Sequence, residues 1–146
     1  MSALSDYAEN KILDWLLRGQ TFVPPATVYV ALLTAAPSDA AGGTEVSGGS
    51  YQRVAVAGSL ANWSGTQAAG STAASSGTSG TVSNNSPISF PTPTADWGTV
   101  THTAIYDASS GGNLLMWGAL TQAKTINNGD AAPSYAAAAI AFQLDN

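Results

Sequence analysis

The fold is decided by the stretch Val28-Tyr29-Val30-Ala31-Leu32-Leu33, which is apolar on both of the faces that alternate along a strand. A strand of this kind lies in the interior of a sheet, because both of its faces must be covered. Pro24 and Pro25 come just before it and end any preceding helix, since the residue before a proline avoids helical backbone. We therefore expect a central strand at 28–33.

Further strand patterns follow along the chain. A second strand is predicted at about 51–57, and the others cover 88–90, 100–106, 114–120 and 136–144. In the pattern at 100–106 the alternation places Thr101, Thr103 and Ile105 on one face, and the other face carries Val100, His102, Ala104 and Tyr106. The tetrad Asn127-Asn128-Gly129-Asp130 is typical of a tight hairpin. Short strands separated by Gly and Asn turns predict a mainly β fold, namely a β-sandwich-like antiparallel domain.

One N-terminal α-helix is predicted over residues 5–18. Ser5 is a good N-cap, and Gly19 is a suitable stop at the other end. Apolar residues recur at helical spacing and form one stripe, made of Ala8, Ile12, Trp15 and Leu16. We expect this stripe to dock on the sheet, with the Trp15 side chain in the core.

The 146 residues form a single domain, with one segment of unusual composition. Residues 65–86 consist almost wholly of Gly, Ser, Thr, Ala, Asn and Gln, with Val82 as the one larger apolar residue. Such a segment cannot build a core of its own. It is therefore either a loop or an arm that becomes ordered against a neighbouring subunit.

Charge and composition exclude several classes of partner. The chain has four basic and nine acidic residues and a net charge of −5. No basic patch can be built from so few cations, so we expect no nucleic-acid partner. No segment has the length or composition of a membrane span or a signal peptide, so we expect no membrane partner and synthesis in the cytoplasm. Charged residues make up only 9% of the chain, which favours association with copies of itself.

The residues that could carry chemistry are few. His102 is the single histidine, and only on paper does it combine with Asp96 or Asp107 and a serine into a catalytic triad. Ser79 lies near glycines, but in the low-complexity segment, where a rigid geometry is hard to hold. We therefore interpret His102 as a packing or hydrogen-bonding residue and predict no enzymatic activity and no catalytic residues.

Metal and cofactor sites are not predicted either. Asp107, Asn113 and Asp130 lie in turns and could share a calcium ion, but no calcium-loop pattern is present. Hydrogen bonds from side chains to the backbone of the turns are the simpler explanation of these residues. Gly48-Gly49 and Gly111-Gly112 are turn glycines, because no lysine and no helix follows them. We predict no metal-binding residues, no cofactor-binding residues and no cofactor.

The aromatic residues allow two interpretations. Some of them could form a stacking platform for sugars, or all of them could pack in the core; the set is Tyr51, Trp63, Trp97, Tyr106 and Trp117. Trp117 lies in the most apolar strand and is expected to be buried, whereas Trp63 and Trp97 flank looser segments. Core packing is the favoured interpretation, because burial is the common outcome for aromatic side chains.

Several segments together resemble a family of short tailed-bacteriophage virion proteins that are usually labelled tail fibre proteins. The resemblance runs nearly from end to end. Its motifs are 4–11 (LSDYAENK), 28–35 (VYVALLTA), 44–53 (TEVSGGSYQR), 95–102 (ADWGTVTH), 105–120 and 124–130. It implies a location in the virion and carries no catalytic residues over to this chain. The segment at 65–86 and the alanine-rich stretch at 131–139 depart from the family pattern.

The resemblance implies a structural protein of a phage particle, and two roles are open. The chain has no internal repeats and no coiled-coil heptads, so it is not a fibre shaft. We expect a capsid decoration (cement) protein; the alternative is a tail-fibre or receptor-binding component that contacts host surface glycans. The expected partners are copies of the chain itself, as a homo-oligomer and specifically a trimer, together with the major capsid protein or tail proteins.

Overall fold

The computed structural model describes residues 2–144, which form a mainly β fold with one helix. In chain order the elements are β1 (Ser2–Leu4), α1 (Asp6–Leu17), β2 (Thr27–Ala35), β3 (Thr44–Glu45), β4 (Val54–Ala57), β5 (Thr81–Ser83), β6 (Ile88–Ser89), β7 (Gly98–Tyr106), β8 (Leu114–Ile126), β9 (Ser134–Tyr135) and β10 (Ala141–Gln143). The predicted fold class is confirmed.

The central strand is β2, as its apolar sequence predicts. Its four residues Val30–Leu33 are buried, and β2 lies inside an antiparallel sheet with the order β1-β8-β7-β2-β3. At its outer edge β2 pairs with two strands in succession: β4 along Thr27–Val30 and β3 along Leu33–Ala35. The strand β2 thus holds both β3 and β4 at this edge of the sheet.

Two small sheets cover one face of the main sheet. They are the pairs β5–β10 and β6–β9, each of two antiparallel strands. The main core lies between these layers and consists of Val30, Leu32, Val46, Ile88, Phe90, Trp97, Val100, Ile105, Ile126, Ile140 and Phe142. A smaller cluster on the opposite face of the sheet contains Ala31, Leu33, Ala104, Tyr106 and Leu114. The arrangement is that of a sandwich whose second layer is made of short pieces.

Two local predictions about the strands are wrong. The register of β7 on β8 shifts between Val100 and His102, and this bulge turns Val100 into the main core together with Ile105. Simple alternation had assigned these two residues to opposite faces, because an extra residue reverses the faces. The turn at Asn127–Asp130 forms, with Asp130 N donating to Asn127 O at 3.2 Å. However, it does not close a hairpin, because β9 pairs with β6 rather than with β8.

Residues 65–86 form a loop that includes one short strand near its end. The Gln67 and Thr66 side chains bond to the backbone of the same segment, with Thr66 Oγ1 donating to Ser76 O at 2.8 Å. The end of the segment is β5, which pairs with β10. Asn84 follows β5 and is 1% exposed; its amide nitrogen donates to Ser86 O and Ala136 O, and its amide oxygen accepts from Ile140 N. This buried side chain joins the loop to the C-terminal strand.

Candidate interaction surface

The start of α1 is attached firmly to the sheet. Ser5 caps the helix as predicted, since its Oγ accepts a hydrogen bond from Ala8 N at 3.2 Å. The same hydroxyl donates to Leu114 O, and Ser5 N donates to Leu115 O at 3.0 Å. These bonds hold the first turn of the helix beside the beginning of β8.

The end of α1 is closed by the chain itself. Arg18 N and Gln20 N both donate to Asp14 O, at 3.0 and 3.1 Å. Gly19 permits this closure because its φ of +66° lies in the left-handed region, which glycine adopts without strain. Both limits of the helix are thus defined by local sequence, in agreement with the prediction for residues 5–18.

The expected docking of the helix on the sheet is wrong. Ala8 is the buried residue of α1, and Ile12 is only partly covered. The side chains beyond them are exposed: 50% for Leu13, 57% for Trp15, 63% for Leu16 and 75% for Leu17. The helix contacts the domain through its first turns, and its second half projects from the domain.

Three of these leucines form a continuous apolar strip. Leu13, Leu16 and Leu17 have the i, i+3, i+4 spacing that places side chains next to one another on a helix. We call this strip the outer face of α1. Seven large hydrophobic residues are exposed in the described chain, and four of them lie on this one helix. Contiguous exposed apolar surface is often found at interaction sites.

A second cluster of functional groups surrounds Arg53. The guanidinium group forms a two-point ion pair with Glu45, with distances of 2.8 and 2.7 Å. It also donates to the carbonyl oxygens of Ala108 and Gly111, at 2.7 and 2.8 Å. The Arg53 carbon Cζ lies 3.6 Å from the centre of the Tyr106 ring. We call this set the Arg53 cluster.

Burial perturbs the titrating groups of the Arg53 cluster. The pKa of Tyr51 is raised far above its ordinary value, mainly because burial disfavours the phenolate. Burial also raises the pKa of Tyr106, and the nearby Glu45 carboxylate adds to the effect. For Arg53 burial acts to lower the pKa, but the hydrogen-bonded Glu45 carboxylate outweighs it, so the pKa is raised. All of these shifts favour the protonated forms, which do not act as bases.

A cleft of about 490 Å³ adjoins the Arg53 cluster and is lined by Glu45, Tyr51, Gln52, Arg53, Ser109 and Ser110. The charged groups that border it are already engaged with one another. Arg53 has four hydrogen bonds to protein oxygens, and its side chain is only 6% exposed. The cluster therefore fixes the loop after β7 to the edge of β2, and it offers a ligand little free hydrogen-bonding capacity.

The structure does not bring His102 together with Asp96 or Asp107 as a catalytic triad would require. Asp96 precedes β7, His102 lies within it and Asp107 follows it, so each aspartate is about 16–20 Å along the strand from His102. The Thr101 hydroxyl lies 2.8 Å from Nδ1 of His102, and the imidazole ring packs 5.8 Å from the Trp117 ring. Ser79 Oγ donates to Thr66 O within its own loop. These contacts are of the kind that the packing and hydrogen-bonding interpretation of His102 predicts.

The acidic turn residues support the turns, as the second interpretation predicts. Asp107 accepts from Asn113 N and Asn113 Nδ2, both at 2.7 Å, in the turn before β8. Asp130 accepts from Asn127 N at 2.8 Å in the turn after β8. The length of β8 separates these two turns, so Asp107 and Asp130 do not share an ion.

Of the five aromatic residues, Trp97 and Tyr106 are buried and the other three pack partly buried against the core. Core packing is thus confirmed for the set, but the expected burial of Trp117 is wrong. Trp97 is 4% exposed, and its indole nitrogen donates to Gly49 O at 2.9 Å. Tyr51 stacks on Phe90 at 6.2 Å and meets Trp97 edge-on at 5.3 Å. Trp63 packs partly buried against the main core, and Trp117, expected to be buried, is likewise only partly covered. No platform of exposed rings forms from these five residues.

Residues 2–144 contain neither a cluster of metal-ligating side chains nor a helix suited to a membrane. Within this range no group of three or more His, Cys, Asp or Glu side chains is placed to hold a metal ion. None of the described helices is both long enough and apolar enough to cross a membrane.

Comparison with known protein families identifies a relationship. A family model described as "Podophage GP4 fiber I protein gp80" matches residues 3–143. The match includes α1, both small sheets and all of the main sheet except Ser2. No curated protein matches the chain.

Proposed function

Because the chain belongs to the podophage GP4 fiber I protein family, we propose that it is a structural subunit of a phage tail fibre. The observation that carries the proposal is the match over residues 3–143, which leaves almost no part of the chain for a separate function. A phage fibre protein is a component of the virion. The family description favours the tail-fibre hypothesis over capsid decoration, which was the first expectation from the sequence.

We propose further that the fibre contains several copies of this chain. Residues 2–144 contain neither sequence repeats nor a long helix from which to build an elongated shape. Copies joined through their surfaces supply the missing length, and the charge-poor composition favours such contacts. Three copies around one axis form a closed arrangement that presents the same contact on every subunit. Other tail proteins are the expected partners at the point of attachment.

The role that we propose is not enzymatic. In the Arg53 cluster the side chains of Arg53 and Glu45 already form hydrogen bonds within the fold. His102 packs against Trp117, and its described side-chain hydrogen bond is to the neighbouring Thr101. We expect His102→Ala to leave every function of the particle unchanged. A hydrolytic activity that this substitution abolishes would contradict the proposal.

Immunogold labelling of intact particles tests the proposed location. An antibody against the purified chain is expected to label the appendages of the tail, and quantitative mass spectrometry should find far fewer copies than there are capsid subunits. Label spread over the head, with a copy number close to that of the major capsid protein, would support decoration and contradict the tail-fibre proposal.

A further inference from the structure

We propose that the N-terminal unit of this chain, residues 2–17, is exchanged between copies, so that β1 and α1 of one copy dock on the body (residues 27–144) of the next. The inference rests on the proposed function, because it supplies the contact that joins several copies in a fibre. The docking site is the outer edge of β8, where the chain's own β1 pairs in the structure. The partner is a second copy, because its β1 has the same sequence and makes the same contact.

The N-terminal unit is attached to the body by hydrogen bonds near its start. Beyond the pairing of β1 with β8, Ser5 N donates to Leu115 O at 3.0 Å, and the Ser5 hydroxyl donates to Leu114 O. Asp6 N donates to Asp39 O at 3.0 Å. The acceptors are backbone carbonyl groups of the body, which every copy presents in the same arrangement. The unit of a neighbouring copy can therefore form each of these bonds.

The segment at 18–26, which joins the unit to the body, is suited to a crossing between copies. From Thr21 to Pro25 no hydrogen bond of the described chain holds this segment to the body, and Val23 is 77% exposed. Pro24 and Pro25 favour extended backbone in this segment. Its nine residues span at most about 30 Å when extended, which is about the diameter of a small domain. The segment can thus reach a neighbouring copy while the unit and the body keep their structures.

The exchange keeps the docking contacts of the single chain and changes only which copy supplies them. The free energy of these contacts is the same in both arrangements, so the opposing contribution is the freedom that the copies lose on association. This loss is smaller where the copies are already held close together, because their effective concentration is high. An assembled fibre provides this proximity. We therefore expect exchanged N-terminal units in the assembled particle.

A disulfide between β1 and β8 tests the exchange in a chain that has no cysteine. Leu4 lies directly opposite Met116. Because the adjacent pair is bonded from Ser5 N to Leu115 O, this pair is of the non-hydrogen-bonded kind, with Cα atoms about 4.5 Å apart. A disulfide bridges such a distance. After mild oxidation, particles with Leu4→Cys/Met116→Cys should give bands at multiples of the chain mass in a denaturing gel, and reduction should remove them.

The variant Thr27→Cys/Ala57→Cys is the matched control. Thr27 and Ala57 lie opposite each other on β2 and β4, which both belong to the body. Their disulfide joins residues of one chain whichever copy supplies the N-terminal unit, so the control should stay at the single-chain mass. The proposal is overturned if particles with Leu4→Cys/Met116→Cys also give the single-chain band alone. A cross-linked product whose mass shows a different protein would overturn it as well.

A second pair of thiols keeps the test valid if the first variant does not fold. Asp6→Cys/Asp39→Cys changes only exposed side chains, at positions joined by the bond from Asp6 N to Asp39 O. Particles treated with a short bismaleimide should again give multiples of the chain mass, and a single-chain band alone would contradict the exchange. Failure of the tail-fibre proposal is distinguishable, since immunogold labelling locates the chain whichever copy supplies the unit.

Discussion

At the scale of single residues, Arg53 and Glu45 connect parts of the chain that are far apart in sequence. The pair joins the start of β4 to β3, and the guanidinium group reaches carbonyl oxygens 55 and 58 residues further along the chain. The Arg53 side chain is 6% exposed and that of Glu45 is 26% exposed. Removing one partner of such a pair leaves the other poorly solvated and the carbonyl groups without a donor.

Arg53→Ala should therefore lower the free energy of unfolding by about 2–4 kcal/mol. Arg53→Lys should be intermediate, because an ammonium group keeps the charge but loses the two-point geometry. Arg18→Ala is the matched control: its ion pair with Asp14 is on the surface, with the Arg18 side chain 74% exposed, and its loss should cost less than about 0.5 kcal/mol. Urea unfolding measures all three, and equal effects of Arg53→Ala and Arg18→Ala would refute the assignment.

At the scale of elements, α1 shows that a helix can be predicted correctly in extent and wrongly in position. Its caps are local, since Ser5 bonds to Ala8 N and Gly19 follows the last turn. The spacing of its apolar side chains predicts a packing partner, but it does not identify which part of the molecule that partner is. The tertiary packing decides this, because the small sheets occupy one face of the main sheet and α1 contacts β8, β1 and the loop at Asp39.

A pair of tryptophan substitutions tests this position. Trp15→Ala should lower the free energy of unfolding of the dilute chain by less than about 1 kcal/mol, since the side chain is 57% exposed. Trp97→Ala should lower it by about 3–5 kcal/mol, because that side chain is 4% exposed and leaves a cavity. Chemical denaturation followed by circular dichroism measures both. A large loss for Trp15→Ala at concentrations where the chain is monomeric would place that side chain in the core after all.

At the scale of the whole molecule, the buried tyrosines link stability to alkaline pH. Burial raises the pKa of Tyr51, Tyr106 and Tyr135 in the folded chain. In the unfolded chain these phenols ionise near their ordinary pKa of about 10. Above that pH the folded state retains more protons than the unfolded state. Stability is therefore fully present below pH 10 and falls as the pH rises further.

We expect the free energy of unfolding to stay level up to about pH 9 and then to decrease steadily towards pH 11. Tyr51→Phe should reduce the steepness of this decrease, because phenylalanine has no proton to lose. Its stability at neutral pH should be lower than that of the wild type, since Tyr51 Oη accepts from Leu32 N and donates to Glu45. Urea unfolding at a series of pH values tests the link, and a level curve through pH 11 would contradict it.

The sequence by itself determined the mainly β fold, the central strand at 28–33, the limits of α1 and the core packing of Tyr51 and Trp97. These features depend on apolar periodicity and on caps within a few residues, which are local properties of the chain. Only the tertiary structure decided that β5 pairs with β10, that a bulge turns Val100 into the main core, that Arg53 reaches Gly111, and that the leucines of α1 face outwards. Each of these depends on contacts between distant segments. A periodic pattern shows that a face needs a partner, but long-range packing selects the partner.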